Sequence, residues 1–448
     1  MMQETSRPCQ TSQHADHLLV LKTLIDCYNN KGKNLYTCFV DFQKAFHSVW
    51  RLGLVYKLIK LGASPDLIKL TKNMCDQTSQ ALKINNGLTR SFSTYRGVRQ
   101  GCTLSPKLFN LFVNELHQIF DDNCHPALTG NHRFNCLMYA DDLIILSESA
   151  TGLQSCLDKL KEYLVKWDLN LNLKKKKIMR FSKGGKNNNI PFFFNDNIVK
   201  QATEYKYLGT IITDTGNFRL NKTNLKRKGI RASYIIIKNV ERLSKPSTAI
   251  NLFEKMLEPI LLYNCEISEA YLPKKWDLKK FQANIWEVGK EVNQVTLGFI
   301  RQLLGVNKKS TNIAVLAEIG KYPICIKIFG RIIKYWARIS TSKNQLLAES
   351  YKASMIENIN GRQHWLKFVD FLTETVSLGD EPNTNQIHNK KLVKNFKISI
   401  RLLFEAWWKT QAIHTGQNKL DFYYAFKRNF RYETYLDYLP KTSQNSCN

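Results

Sequence analysis

Three aspartates stand in parts of the sequence where a charged side chain is costly. Asp141 and Asp142 are adjacent in CLMYADDLIILS (136–147), whose apolar residues are typical of buried strands, and Asp41 ends the β-rich segment LYTCFVDF (35–42). Burial of an uncompensated carboxylate is unfavourable, and two carboxylates about 4 Å apart repel each other by roughly 4 kcal/mol near a protein surface. Two explanations fit: an exposed Asp-Asp turn between short strands, or a metal ion that offsets the charge.

The metal explanation requires the two adjacent carboxylates to serve one site. Because neighbouring residues on a strand point to opposite faces, Asp141 and Asp142 can do so only at a turn, which is where the pattern puts them. Together with Asp41 they could hold two Mg²⁺ ions, or Mn²⁺ in their place, since Mg²⁺ takes carboxylate oxygens and completes its coordination with phosphate and water. Paired ions of this kind serve in-line displacement at phosphorus, the chemistry of polymerases and nucleases.

Composition indicates a polyanionic partner. The chain of 448 residues carries 66 Lys and Arg against 37 Asp and Glu, a net charge of +29, and nucleic acid is the usual partner of such a protein. Its 11 cysteines form no C-x-x-C pair, so we expect free thiols in the nucleus or cytoplasm. No apolar run approaches the length of a membrane span, and we expect no membrane partner.

Local patterns predict strands and helices up to about residue 215 and mostly helices after it. We expect one helix over 43–62, a hairpin over 81–97 with Asn-Asn-Gly as its turn, and a helix whose N-cap is Ser105 and whose first turn contains Pro106. The polar segment GDEPNTNQIHNKK (near 378–390) is the clearest late linker.

Several stretches, taken in order, carry a resemblance to a known family. FVDFQKAFHSV (39–49), RGVRQGCTLSPKLFNLFVNEL (96–116) and YADD (139–142) resemble successive catalytic motifs of the reverse transcriptases of non-LTR (LINE-like) retrotransposons. WDLNLNLKKKKIMRF (167–181) and EYKYLGTIIT (204–213) resemble the next two motifs. Similarity to the family's thumb region follows, and the whole resemblance covers roughly residues 15 to 345.

The resemblance implies an α+β fold: a right-hand polymerase palm, in which an antiparallel sheet packs on helices, followed by a helical thumb and a helical C-terminal region. The domains implied are a remnant of the fingers (1–34), the palm (35–214), the thumb and connection (215–345) and the C-terminal region (346–448). The chain then resembles a copy truncated at the N-terminus, with most of the fingers and an upstream endonuclease missing.

The resemblance also assigns roles to single residues. Asp41 and Asp141 would be the main catalytic metal ligands, and Asp142 would assist them. Phe46 would lie under the incoming sugar, where an aromatic ring excludes a 2′-hydroxyl and so selects deoxynucleotides. The alternative is that Phe46 is an ordinary core residue.

Other residues implied to contact the nucleotide or the primer lie further along the chain. Gln100 and Gly101 would border the nucleotide and template, and Lys175 would reach the leaving pyrophosphate. Tyr207, Leu208 and Gly209 would form the primer grip, unless they are a plain hairpin. The run Lys174 to Lys177 has its own alternative, a solvated charge run or an import signal.

The implied function is that of an RNA-directed DNA polymerase acting in retrotransposition. It would add deoxynucleoside triphosphates to a DNA primer 3′ end on an RNA template. Two departures from the family pattern stand out: His47 replaces the Asp of K-A-F-D, and Lys176 replaces a frequent Thr. Two alternatives therefore stay open, a catalytically impaired remnant that only binds nucleic acid, and a metal-dependent nuclease.

Overall fold

The structure is a computed structural model that describes residues 11–76, 78–85, 87–129, 132–172, 175–184, 190–240, 245–270, 285–359, 364–413, 423, 426–427 and 429–438. The chain divides into two compact units, Met1–Gly216 and Asn217–Asn448. This division lies beside the expected palm boundary at residue 214, and the boundaries at residues 34 and 345 stay predictions. Residues 1–10 of the expected fingers remnant, and Lys174 of the lysine run, lie outside the described residues.

The first unit mixes helices and strands. Its described α-helices are α1 (Thr11–Asn30), α2 (Ala45–Ser48), α3 (Arg51–Lys60), α4 (Pro65–Cys75), α5 (Ser105–Val113) and α6 (Ala150–Trp167), with 3₁₀ turns at Asn114–Ile119 and Asp122–Cys124. Its described strands are β1 (Leu35–Asp41), β2 (Thr78–Gln80), β3 (Lys83–Ile84), β4 (Gly87–Leu88), β5 (Phe92–Thr94), β6 (Ala127–Thr129), β7 (His132–Phe134), β8 (Cys136–Tyr139), β9 (Asp142–Ser147), β10 (Lys177–Phe181), β11 (Phe193–Phe194), β12 (Asn197–Ile198), β13 (Glu204–Tyr207) and β14 (Thr210–Thr213).

A four-stranded antiparallel sheet forms the centre of this unit, with strand order β10-β1-β9-β8. Alternate residues of β1 face opposite sides, as in any strand. Cys38 and Val40 point into a core shared with helices α5 and α6. Phe39 points to the other side, where Tyr205 of the β13–β14 hairpin stacks on it with ring centroids 4.1 Å apart. The expected α+β palm, an antiparallel sheet packed on helices, is confirmed.

Two local predictions in this unit need correction. The helix expected over 43–62 is interrupted at Val49 and Trp50, so that α2 and α3 are separate helices. Ser105 is not an N-cap, because α5 begins at Ser105 itself and the Ser105 hydroxyl donates to the carbonyl oxygen of Arg99. The hairpin over 81–97 is present, with the Lys83–Ile84 strand paired to Gly87–Leu88.

The second unit is helical throughout its described part. Its α-helices are α7 (Arg219–Val240), α8 (Pro246–Leu252), α9 (Glu258–Leu261), α10 (Cys265–Ser268), α11 (Lys290–Leu304), α12 (Asn312–Glu318), α13 (Ile324–Ile339), α14 (Gln345–Ile359), α15 (Trp365–Thr375) and α16 (Gln386–Ile413), with a π turn at Phe253–Leu257 and 3₁₀ turns at Ile285–Glu287 and Thr434–Tyr438.

The core of this unit surrounds α13, in which Ile328, Phe329, Ile332 and Ile333 are fully buried. The expected late linker is shorter than predicted, since α16 already begins at Gln386. No described helix is both long and apolar enough to cross a membrane. The cysteines in the described ranges are free thiols, as expected.

Candidate active site

Asp41 and Asp142 lie directly opposite each other at one end of the central sheet. Strand β1 ends at Asp41 and strand β9 begins at Asp142, and the two residues are register partners in this antiparallel pair. Directly opposite residues point to the same face and have Cβ atoms about 5 Å apart. Phe39 and Ile144, the next register pair on that face, are apolar. The sheet therefore presents two neighbouring carboxylates at the edge of an apolar face.

Asp141 lies in the turn between β8 and β9. Tyr139 pairs with Asp142, so the turn consists of Ala140 and Asp141 alone. Ala140 has a φ of 52°, a left-handed conformation that residues other than glycine rarely adopt. The expectation that Asp141 occupies the turn of a hairpin is confirmed, while Asp142 is already the first residue of the following strand.

The electrostatics of the site show that its negative charges are close. Burial, together with smaller repulsions from Asp141 and Asp41, raises the pKa of Asp142 to about 6. Lys175 partly offsets this charge. Its ammonium is 3.0 Å from Asp41 Oδ2, and the hydrogen bond to Asp41, followed by attraction to Asp142 and Asp141, raises the pKa of Lys175. All three carboxylates thus act on one cation.

Asn172 and Lys175 are held at the site by the chain that follows helix α6. The backbone N–H of Asn172 donates to the carbonyl oxygen of Asp41 at 2.9 Å, and its side-chain amide donates to Asp41 Oδ2 at 3.3 Å. The backbone N–H of Lys175 donates to the carbonyl oxygen of Asn172. These bonds hold Asn172 and Lys175 against the end of β1, so that the lysine of the N-x-x-K motif reaches Asp41.

The residues present fit a divalent cation in their chemistry. Within the described ranges, no group of three His, Cys, Asp or Glu side chains is gathered closely enough to hold an ion unaided. Mg²⁺ does not need such a cage, because it usually takes one or two protein carboxylates and completes its shell with substrate phosphate and water. Asp41 and Asp142 supply that pair, and a cation there would offset both the burial of Asp142 and its repulsion by Asp141 and Asp41, the causes of its raised pKa.

Phe46 lies on the short helix α2, which begins four residues after Asp41. It is half-buried, and its ring centroid is 5.5 Å from that of Phe109 in α5. The next residue, His47, is exposed. The backbone carbonyl of Phe46 accepts a hydrogen bond from Val98 N–H at 2.7 Å, so the RGVRQGC segment runs directly against α2. Phe46 is thus neither a fully buried core residue nor a free surface ring.

Gly97 explains how closely these two segments approach. Its φ is +85°, and a Cβ atom there would lie 2.7 Å from His47 Cα and 2.8 Å from the His47 carbonyl oxygen. Gln100 and Gly101 follow in an exposed turn, where Gly101 has a φ of +81° and open space around it. Among the described residues, no hydrogen bond or ring contact joins Gln100 or Gly101 to the three aspartates.

The expected primer grip is the tip of the β13–β14 hairpin. Leu208 and Gly209 form a two-residue turn in which both φ values are positive, 43° and 79°, as the tight primed turns require. The Tyr207 side chain is buried under β1, with its ring 5.9 Å from that of Phe39. Any contact with a primer is therefore left to Leu208 and Gly209, with Tyr207 anchoring the turn.

Two features of this region were missed from the sequence. The Arg51 guanidinium holds the loop before Gly97 by donating to the carbonyl oxygens of Thr94, Arg96 and Gly97 and to the Thr78 hydroxyl. Nothing local in the sequence marks this arginine.

The second feature is a pair of histidines on α1. The rings of His14 and His17 lie 4.7 Å and 5.3 Å from that of Tyr139, two residues before Asp141. Their i, i+3 spacing on a helix was the available signal.

The lysine run is not uniformly solvated. Lys176 is buried, with its ammonium 3.3 Å from the ring centroid of Phe194, and burial lowers its pKa to about 8. Lys175 is exposed but bound to Asp41. A solvated charge run is therefore wrong for Lys176, which packs in the core, whereas exposed Lys175 pairs with Asp41. The import signal stays a prediction.

Comparison with known proteins agrees with this geometry. Residues 3–212 match the family described as reverse transcriptase (RNA-dependent DNA polymerase). Over these residues the chain is therefore similar to reverse transcriptases, and the relatives that it resembles come from mobile and retrotransposable elements. The RNA-directed DNA polymerase from mobile element jockey of Drosophila funebris is 30% identical over 199 residues, 42% of this chain and 21% of its own length.

Other relatives are similar in extent. The Pol polyprotein from type-2 retrotransposable element R2DM of Drosophila melanogaster is 28% identical over 46% of this chain and 20% of its own length. The chain thus spans about a fifth of the length of the curated relatives it matches. A solved structure of telomerase from Candida tropicalis, in complex with a TWJ fragment of telomeric RNA, is similar with a TM-score of 0.37. The alignment covers 77% of this chain and 53% of the telomerase chain, at 13% sequence identity.

Proposed function

We propose that this chain is an RNA-directed DNA polymerase that extends a DNA primer 3′ end with deoxynucleotides on an RNA template, as a step of retrotransposition in the nucleus or cytoplasm. One observation carries the proposal: Asp41 and Asp142 are register partners on one face of the sheet. The reverse transcriptase domain over residues 3–212 supports the same reaction. Nucleases share an acidic site, but the proposal also accounts for Phe46 and for the hairpin turn at Leu208.

Asp41 and Asp142, with Asp141 beside them, would hold two Mg²⁺ ions, with Mn²⁺ able to replace them. Such ions supply activation of the primer hydroxyl and stabilisation of the leaving oxygen. The chain's own contribution is position and charge. Asn172 fixes the Asp41 carboxylate, and the Lys175 ammonium is placed to move from Asp41 to the phosphates of a bound nucleotide.

Selection of the nucleotide would fall to the loop beside the metals. The half-buried Phe46 ring would lie under the incoming sugar and exclude a 2′-hydroxyl. Gly101 leaves open space in which a template or nucleotide backbone can approach, and exposed Gln100 would border it. Leu208 and Gly209 would contact the primer end.

Helix α7 supports a nucleic-acid partner. Arg227, Arg231, Tyr234 and Lys238 are exposed and follow one face of the helix at spacings of four, three and four residues. Four residues of helix rise about 6 Å, close to the spacing of phosphates along a strand. None of these three cations forms an ion pair with another described residue. The stripe therefore offers three exposed cations without ion-pair partners among the described residues, and one aromatic ring, to a phosphate backbone.

Primer extension on a primed RNA template tests the proposal. We expect Mg²⁺-dependent addition of deoxynucleotides by the wild-type chain and a loss of at least a hundredfold in Asp142→Asn, because the site loses a metal-binding charge. Asp158→Asn is the matched control, since Asp158 is an exposed residue on α6, and it should keep full activity.

The same assay separates the alternatives. Metal-dependent shortening of the strands without added nucleotides, lost in Asp142→Asn, would show a nuclease instead. Retained binding to the primed template with no synthesis by the wild-type chain would show a remnant that only binds nucleic acid.

A further inference from the structure

A cavity in the second unit is lined by none of the residues assigned a role so far. It has a volume of about 680 Å³ and is lined by the 3₁₀ turn Ile285–Glu287 and by helices α11, α12 and α16. Ligand pockets in proteins typically measure about 300–1,000 Å³, so the cavity is large enough for one nucleotide or a compound of similar size.

One wall of the cavity is aromatic. Trp286 and Phe404 are buried, and their ring centroids lie 5.9 Å and 5.6 Å from that of Trp407. Trp407 is only half-buried and also lines the cavity. It is thus supported by two rings while part of its surface stays accessible. Such a supported, partly open indole is suited to stack on a planar ligand, because its position is fixed before the ligand arrives.

Amides and a guanidinium line the rest of the cavity. Asn293, Asn312 and Gln411 all line it, and Asn293 Oδ1 is buried with no hydrogen-bond partner among the described residues. Arg301 also lines it, and its Nη2 donates to the Ser310 carbonyl oxygen at 2.7 Å and to Asn312 Oδ1 at 2.5 Å, while its Nε is buried without a described partner. Lys290 at the rim is paired with Glu287 at 3.3 Å, so Arg301 is the principal cation.

This combination selects a class of ligand. An aromatic wall favours a planar ring, amides can read the hydrogen-bonding edge of a base, and an arginine can bind phosphate. A base within a duplex cannot enter such a cavity, because its faces are already stacked and its edge is paired. We propose that this cavity binds one unpaired nucleotide of a single-stranded nucleic acid, with the base stacked on Trp407, its edge at Asn293 and its phosphate near Arg301.

The choice of nucleic acid as ligand rests on the proposed function, whereas the residues of the cavity include none of the proposed catalytic residues. Stacking of one base on an aromatic side chain is sequence-tolerant and contributes measurably to single-strand binding in other proteins. The cavity would therefore hold a single-stranded part of the template or primer strand at one fixed point of the second unit.

Fluorescence anisotropy with the full chain and labelled 12-nucleotide strands tests the inference. The probes are oligo-U and oligo-A RNA, oligo-dT DNA and a blunt RNA–DNA duplex, and the change is Trp407→Leu. We expect about tenfold weaker binding of single strands, equivalent to about 1.4 kcal/mol, and unchanged binding of the duplex. Phe426→Leu is the matched control, because Phe426 is 88% exposed in the same unit and does not line the cavity.

Asn293→Leu tests base recognition separately, because a purely structural effect would not change the preference between oligo-U and oligo-A. It should reduce the difference in affinity between oligo-U and oligo-A, because the buried Oδ1 no longer reads the base edge. Comparison of RNA with DNA strands shows which of the two the cavity prefers. Equal losses for single strands and duplex, or equal losses in Trp407→Leu and Phe426→Leu, would overturn the inference. A cavity that takes a peptide would leave all nucleic-acid affinities unchanged, which would also overturn it.

Failure of the inference is distinguishable from failure of the proposed polymerase. A wild-type chain that synthesises DNA, with single-strand binding unaffected by Trp407→Leu, would refute the cavity site alone. A chain that makes no DNA, but whose single-strand binding falls in Trp407→Leu, would refute the polymerase alone.

Discussion

His17 gives the most quantitative test of how the catalytic hairpin is supported. Its ring lies 5.3 Å from that of Tyr139, and its Nδ1 is buried without a described hydrogen-bond partner. Burial, with a smaller effect from the neighbouring His14, lowers the pKa of His17 from its ordinary 6.5 to about 4. The folded chain thus holds a neutral imidazole that the unfolded chain would protonate below about pH 6.5.

The sign and size of the His17 contribution to stability follow from the difference between its pKa in the folded and unfolded chain. Between pH 6.5 and about 4 the unfolded state binds more protons at this residue, so the contribution of His17 to stability is complete above that window and falls as the pH is lowered through it. The two pKa values give a loss of about 2 kcal/mol between about pH 7 and about pH 5. We expect the wild-type chain to lose about 2 kcal/mol more than His17→Gln over this interval.

Urea unfolding at the two pH values, scored by pulse proteolysis of fragments of the first unit, measures this difference. Comparison of the wild-type chain with the variant cancels titration elsewhere, including that of Asp142. His117→Gln is the control for the loss of an exposed histidine from the same unit. Equal losses in the wild-type chain and His17→Gln would refute the burial of a neutral histidine behind Tyr139.

Three further predictions concern the loop beside the site. Phe46→Ala should admit ribonucleotides in primer extension. It should lower the free energy of unfolding by only about 2 kcal/mol, because the ring is half-buried against Phe109. A larger loss of stability with unchanged sugar choice would show that Phe46 is a core residue. His47→Asp should raise the steady-state rate of primer extension about tenfold, equivalent to roughly 1.4 kcal/mol, because it restores an acceptor carboxylate beside the metals. Equal rates for the two forms would show that His47 is a neutral replacement. Gly97→Ala should destabilise the first unit by about 3 kcal/mol in urea, since its Cβ would lie 2.7 Å from His47 Cα, whereas Gly101→Ala, with open space around it, should lose only about 1 kcal/mol.

The parts of the site that local patterns encode were predictable from the sequence. Asp41 ends a β-rich segment, and the turn that contains Asp141 lies between two short apolar runs. The Asn-Asn-Gly hairpin is likewise a local signal, since Gly87 and a left-handed Asn85 belong to the turn region. These elements depend on residues a few positions apart, and the structure contains them.

The parts that depend on distant residues were not predictable. Ser105 has the features of an N-cap, but its hydroxyl is taken by the Arg99 carbonyl oxygen, which only the folded loop brings near. Lys176 belongs to a run of like charges, yet it directly precedes strand β10 and its ammonium lies over the Phe194 ring. Arg51 supports the loop at Gly97 through four acceptors, and no short-range pattern reports such a set of bonds.

Templated addition of a single nucleotide tests the central claim most directly, because it requires the metal pair, the nucleotide site and the template together. Four primed RNA templates that differ only in the first unpaired base would each be offered one deoxynucleotide at a time with Mg²⁺. The account predicts that the wild-type chain adds the complementary nucleotide in each case and that Asp41→Asn adds none. Addition independent of the template base, or equal addition by Asp41→Asn, would contradict the assignment of RNA-directed DNA synthesis to the Asp41–Asp142 site.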